Sequence, residues 1–263
     1  MDRGALKAKK IVASIEARMT SSRLPGKVLK PVLGEPFLKV LVERLKRSRY
    51  LDAIVIATTI NPTDEPIARL ARQLGVSVFR GSEEDVLGRV VGAVESVGGD
   101  IIVEITGDCP LMDPRVVDHV LENYIRDFPK YDYVCNTGAG DKSLREIPIG
   151  MDVQVFSFND LKKIAAVTKD PEDREHVSLY FYRTGKARYS IKNVSIPSEW
   201  KREYPVRLTL DAPEDYQFLQ TIYERLVERS AYFTLEDILT LCDQAPDILR
   251  INSLVVQRRP TGI

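Results

Sequence analysis

The feature that most constrains this chain is a repeated switch of hydrophobic period, in which short apolar runs of strand length alternate with stretches patterned for helices. Residues 10–15 read as a buried parallel strand, and 37–47 follow with Leu38, Leu41, Val42 and Leu45 at helical spacing. Residues 53–58 form a second apolar strand, 64–74 a helix, 77–80 a short strand, 85–97 a helix and 100–105 a further strand. Such alternation with short connections predicts an α/β fold, a doubly wound, mostly parallel sheet with helices on both faces. Ligands bind such a sheet beyond the carboxyl ends of its strands, which places residues 14–27, 58–64 and 107–110 at the crevice.

Past a helix at 114–126 and a strand at 132–135, the pattern loosens into a Gly-rich, charged loop at 138–149. A strand at 151–156, helices at 158–166 and 171–183, and a strand at 187–194 follow. Residues 138–205 are therefore expected as a mixed substrate-binding or dimerisation subdomain within one domain spanning 1–263. Residues 207–210 are expected to re-enter the sheet. A helix at 213–229 carries Tyr216, Leu219, Tyr223 and Leu226 on one face, and Thr234 is placed to cap a last helix at 234–241.

Lys plus Arg (38) balance Asp plus Glu (38), so no net field would hold the chain on nucleic acid or on an anionic membrane. Cys109, Cys135 and Cys242 are odd in number and show no CxxC spacing, which argues against a disulfide framework and a zinc site and fits a reducing cytoplasm. No apolar run approaches the roughly 18 residues of a membrane span, and the start lacks a signal-peptide pattern. A soluble, cytoplasmic protein is expected.

The first strand breaks directly into residues 17–30, where Arg18, Ser21, Arg23, Gly26, Lys27 and Lys30 crowd one loop. Gly26 lets backbone approach a ligand, and Arg18, Arg23 and Lys27 supply the charge a polyphosphate requires. It is not a P-loop, since Ser21 and Val28 stand where that motif needs Gly and Ser or Thr, and no GxGxxG follows a strand. Asp108, in Thr106 to Pro110 after the strand at 100–105, can hold Mg²⁺ against phosphates or cap the turn or the helix after Pro114. Asp211 stands likewise after 207–210, able to converge with Asp108 on one metal or to cap the helix that follows Pro213.

Asp85 reads as a helix cap. Arg80 and Arg89 can reach nucleotide phosphate or base edges, or lie solvated or salt-bridged. Arg44, Lys46, Arg47 and Arg49 read most simply as a solvated helix face. His119 is expected to be structural, and His176 either touches substrate or packs. With two histidines in all, the inventory suits metal-assisted chemistry at phosphorus better than nucleophilic catalysis.

Seven ordered segments, RMTSSRLPGKVLK at 18–30, ATTINPTDEPI at 57–67, FRGSEEDVLGR at 79–89, TGDCPL at 106–111, IGMDVQVF at 149–156, EHV at 175–177 and RLTLDAPED at 207–215, together resemble sugar-activating nucleotidyltransferases. The resemblance is to the cytidylyltransferase family that includes spore coat polysaccharide biosynthesis protein F, and more widely to the CMP-Kdo and acylneuraminate cytidylyltransferases. It implies a nucleotide-diphospho-sugar transferase fold, with Ala17, Arg18, Ser22, Arg23, Gly26 and Lys27 on the triphosphate and Asp108 and Asp211 on Mg²⁺. It also implies that Thr58, Asp64, Arg80, Asp85 and Arg89 help form the nucleotide pocket, and that Asp152, Glu175 and His176 face the acceptor. The implied reaction is attack by a sugar-acid or sugar-phosphate oxygen on CTP, with Arg18, Arg23, Lys27, Asp108 and Asp211 catalytic and the chain a homodimer. Another nucleotide such as GTP, a metal-dependent glycosyltransferase and a non-catalytic nucleotide-binding module are the alternatives.

Overall fold

β1 (Ile11–Glu16) is buried from Ile11 through Ile15, as a strand covered on both faces must be. The computed structural model describes residues 3–257. After β1 come a two-stranded ribbon of β2 (Pro31–Val32) and β3 (Glu35–Pro36), then α1 (Phe37–Leu45), β4 (Ala53–Thr59), α2 (Glu65–Gln73), β5 (Ser77–Gly81), α3 (Val86–Ser96), β6 (Ile101–Thr106) and α4 (Pro114–Asp127). The chain continues through β7 (Tyr133–Cys135), β8 (Gln154–Ser157), α5 (Phe158–Val167), α6 (Pro171–Glu175), α7 (Leu179–Tyr182), β9 (Ile191–Asn193), α8 (Pro213–Val227) and α9 (Leu235–Gln244).

Seven strands form one sheet in the order β5-β4-β1-β6-β8-β7-β9. The first four are mutually parallel, β8 runs antiparallel to both β6 and β7, and β9 is parallel to β7. This is the α/β, mostly parallel sheet that the alternation predicts. Residues 138–205 supply β8 and β9 to that same sheet.

The two-residue period of β1 divides the core. Ile11, Ala13 and Ile15 pack with side chains of α1, α2, α4, α8 and α9, whereas Val12 packs on the other face with α3 and α5. Ser14 and Glu16 share that second face with Val12, and so does Glu104, whose Cα is registered opposite Ser14. Among the described residues, no helix is long and apolar enough to cross a membrane.

Several expected boundaries shift for identifiable reasons. The strand expected at 151–156 begins only at Gln154, because Asn136 takes over the backbone before it, donating from Nδ2 to Met151 O at 2.9 Å and accepting from Val153 N at 2.9 Å. The helix expected at 171–183 divides into α6 and α7, since His176 leaves helical geometry (φ −109°, ψ 86°). The strand expected at 187–194 narrows to β9, after a 3-10 turn over Lys186–Arg188.

Residues 207–210 do not join the seven-stranded sheet, contrary to expectation. They make an isolated parallel bridge, Ile149 to Arg207, and Leu210 N donates to Asp108 O at 2.8 Å. Gly150 permits this crossing: its φ is +95°, and a Cβ there would sit 2.5 Å from the Leu208 carbonyl carbon. The stretch thus lies against the loop after β6 instead of extending the sheet, which carries Asp211 to Asp108.

Arg44 also departs from the expected solvated face. It lies three and seven residues from Leu41 and Phe37, so it falls on the apolar side of α1 and is 5% exposed. Its Nε donates to Met112 O and its Nη2 to Phe233 O, both at 3.0 Å, tying α1 to the start of α4 and to the turn before α9. Arg44→Ala, which strands both carbonyls, is expected to cost about 3 kcal/mol of stability, read as a lower urea midpoint with an unchanged slope.

Candidate active site

The loop after β1 is closed by its own backbone. Gly26 N donates to Met19 O at 2.9 Å, and Gly26 adopts the left-handed region (φ +69°) to turn the chain into a 3-10 segment, Lys27–Leu29. Buried Leu24 and Val28 anchor the loop, while Asp64 accepts Met19 N at 2.8 Å. Lys27 is therefore presented inward from a pinned turn.

Its ammonium sits between two carboxylates from distant parts of the chain, 2.7 Å from Asp108 Oδ2 and 2.8 Å from Asp211 Oδ1. Thr106 Oγ1 donates to the other Asp108 oxygen at 2.6 Å. Arg23 Nη2 lies 3.1 Å from Asp211 Oδ1, and Arg207 Nη2 donates to Asp211 Oδ2 at 2.8 Å. Buried Asp215 backs this cluster, binding Arg207 Nε at 2.9 Å and accepting the Asp211 and Ala212 amides at 3.0 and 3.1 Å.

Burial alone would push the Lys27 pKa down, but Asp108 and then Asp211 outweigh it and hold the group above its ordinary value. Burial would likewise raise Asp211, and Lys27, Arg23 and Arg207 hold it below the ordinary carboxylate value. Lys27 and Asp211 are therefore both charged near neutral pH.

The helix-capping alternatives for the two aspartates fall to their neighbours. Asp113, not Asp108, caps α4, accepting Arg115 N at 2.8 Å, and the N-cap of α8 is Ala212. Among the described residues, no three acidic, His or Cys side chains are arranged to hold a metal ion. Two hard carboxylate oxygens that already converge on one cation do fit a divalent ion completed by phosphate oxygens, the usual composition of nucleotide–Mg²⁺ sites.

These residues line a cleft of about 480 Å³ beyond the carboxyl ends of β1 and β6. Of the residues singled out in the sequence, Ala17, Arg18, Ser22, Arg23, Lys27, Arg89, Asp108, Asp152, Glu175, His176 and Asp211 reach it. Arg18 pairs with Glu83 at 3.3 Å and also borders an adjoining open groove with Asn61 and Gly81.

Others support the walls from behind. Gly26 shapes the turn. Asp64 is fully buried, its second oxygen accepting from Thr58 Oγ1 at 3.1 Å and Thr59 Oγ1 at 2.6 Å. Arg80 donates to Thr59 O at 2.9 Å and Asn61 O at 2.8 Å and pairs with Glu65. Asp85 caps α3 through Gly88 N at 2.8 Å and pairs with Arg174.

Sequence reasoning did not assign Arg207, Gln257, Glu16 or Glu104. Arg207 stands four residues before Asp211 within a segment already singled out, and Glu16 ends an otherwise apolar strand; those were the available signals. Glu16 is recessed in the cleft, with Ser14 Oγ 3.4 Å from its Oε1. Glu104 lies behind it, 6% exposed, and its Oε2 has no hydrogen-bond partner. Burial, and for Glu16 also the neighbouring Glu104, holds both acids above their ordinary range, Glu104 at about 7. Arg89 closes this floor from α3, donating to the Ser82 and Glu83 carbonyls, while its buried Nε has no partner.

A family model described as cytidylyltransferase matches residues 12–245. The chain is 34% identical over 244 residues to the spore coat polysaccharide biosynthesis protein SpsF of Bacillus subtilis, covering 90% of this chain and 95% of that one. It superimposes on a cytidylyltransferase from Leptospira borgpetersenii with a TM-score of 0.84 and 29% identity, covering 95% of this chain and 100% of that one. The structure of CMP:2-keto-3-deoxy-manno-octonic acid synthetase complexed with CTP shares the fold, with a TM-score of 0.59, 20% identity, and coverage of 82% and 99%.

The recessed acids give stability a pH dependence of defined sign. Glu104 keeps its proton to about pH 7 in the folded chain, against an ordinary value of 4.5, so the folded state binds more protons between those values. Stability is therefore expected to be full below 4.5 and to fall as pH rises through 7, by on the order of 3 kcal/mol from this group. Urea midpoints measured from pH 5 to 8 should decline, and Glu104→Gln should flatten the decline.

Proposed function

Since the chain belongs to the cytidylyltransferase family, we propose that it transfers CMP from CTP to an oxygen of a sugar-type acceptor, releasing pyrophosphate. The observation that carries this reading is the convergence of Lys27, Asp108 and Asp211 at one point of the cleft. Phosphoryl chemistry needs positive charge for the leaving group and hard oxygens for a divalent ion in the same place. The polysaccharide role in the name of the Bacillus relative supports a carbohydrate acceptor, and the CTP complex of the synthetase neighbour supports a cytidine donor.

In this scheme the acceptor oxygen, from a sugar-acid hydroxyl or a sugar phosphate, attacks the α-phosphorus in line. Its bond to phosphorus forms as the bond to the β-phosphate oxygen breaks, the electron pair leaves with pyrophosphate, and a hydroxyl acceptor gives up its proton to solvent. Arg18, Arg23 and Lys27 hold the β and γ phosphates, and moving the Lys27 ammonium onto them releases both carboxylates. Asp108 and Asp211 are the residues that would hold Mg²⁺, which supplies neutralising charge at the reacting phosphates when bound.

Asp152, Glu175 and His176 face the acceptor in this reading. Desolvation by the cleft walls lowers the His176 pKa below its ordinary 6.5, so near neutral pH the imidazole offers one donor and one acceptor to a sugar hydroxyl.

Lys27→Ala and Asp108→Ala are expected to remain folded and to lose about a hundredfold or more in pyrophosphate release. Calorimetry with CTP, GTP, ATP and UTP, each with and without Mg²⁺, tests the donor. Selective, Mg²⁺-dependent CTP binding that Asp108→Ala abolishes is the expected result. Preference for GTP would keep the transferase and change its donor, whereas indifference to metal and to Asp108→Ala would leave a non-catalytic binding module.

A further inference from the structure

The chain beyond residue 245 lies outside the family match, yet it returns to the site. Asn252, 4% exposed, donates from Nδ2 to Arg207 O at 3.0 Å and to Asp215 Oδ1 at 2.9 Å. Five residues on, Gln257 lines the cleft, and its Oε1 accepts from Arg207 Nη1. Between them, Val256 O faces Arg23 Nη1 at 3.5 Å.

Apolar packing does not hold this segment down. Leu254 and Val256 are 92% and 79% exposed, and a second cavity of about 510 Å³, bordered by Arg23, Glu214 and Leu254, opens beside them. Its anchors are polar and fall on the residues that surround Asp211.

The consequence lies in the Arg207 guanidinium, which is 8% exposed and planar. Asp215 takes Nε at 2.9 Å, Asp211 Oδ2 takes Nη2 at 2.8 Å, and Gln257 takes Nη1. Three acceptors on three corners of a rigid fork fix its orientation. With Oδ2 so engaged, Asp211 turns Oδ1 to Lys27 and Arg23, the cleft side.

We propose that residues 252–257 are a built wall of the catalytic site, and that Gln257 is a positioning residue that holds Arg207 on Asp211 and so keeps the Asp211 Oδ1 atom directed at the bound metal–nucleotide. The proposal rests on the nucleotidyl-transfer reading. Gln257 is half-buried near the end of the described chain, so its replacement does not open the core.

The test uses Mn²⁺ as probe, with free Mn²⁺ counted by electron paramagnetic resonance in the presence of CTP. Gln257→Ala should weaken Mn²⁺ binding about tenfold, with the loss in turnover falling mainly on the apparent metal constant rather than on kcat. Gln257→Glu, which keeps an acceptor for the Arg207 N–H, should restore binding. A chain ending at Val256 should behave like Gln257→Ala. Gln257→Ala binding within about twofold of the parent, or equal impairment by Ala and Glu, would overturn the proposal. Parent protein that binds no Mn²⁺ with CTP would instead bring down the nucleotidyl-transfer reading, and this proposal with it.

Discussion

One ammonium group closes three remote stretches of this chain onto each other. Lys27 Nζ, between Asp108 and Asp211, joins the first loop to the end of β6 and to the segment before α8. Taking these charges out of water is costly, and a buried ion pair of this kind adds little net stability. Its effect is on geometry: breaking it leaves an uncompensated buried charge, so loop, strand end and return segment are held to a single arrangement. Arg23, Arg207 and Asp215 extend the same balance outward: Arg23 shares Asp211 Oδ1 with Lys27, Arg207 takes the other Asp211 oxygen, and Asp215 pairs with Arg207.

What was legible in the sequence is what strand ends and local spacing encode. Asp108 follows β6 and the cations of the first loop follow β1, so their placement at the crevice is a property of parallel sheets in general, whereas Asp211 arrives beside them on a stretch that lies outside the sheet and bonds to the loop after β6. The other contributions depend on pairings that local pattern does not carry. Nothing in the spacing of Gln257 from Arg207 announces that they meet. Asn136 delays β8 by capturing the backbone at Met151 and Val153, which no periodicity records. Arg44 looks like one more surface cation because its charge masks a position on the apolar face, where two carbonyls wait for it.

The face of the sheet beneath the cleft is built against stability. Ser14, Glu104, Gln154 and Tyr133 run across four adjacent strands, with Ser178 and Tyr133 both donating to Gln154 Oε1. A buried carboxyl with an orphan oxygen and a buried guanidinium with an orphan N–H are costs that an apolar core would avoid. These costs are concentrated at Arg89 and behind Glu16, both of which line the cleft.

The order of the strands has a consequence for how the protein comes into being. β8 lies between β6 and β7, and the ring of charge around Asp211 needs residues from the first loop and from the last described turn. During synthesis the parallel half of the sheet can assemble while the ribosome is still adding α8 and α9. The cleft cannot, because Gln257, which lines it, follows both of those helices in the chain. A nascent chain thus passes through a stage in which strands are paired while the site is still open, and a message cut short before residue 257 would yield protein with an unfinished site.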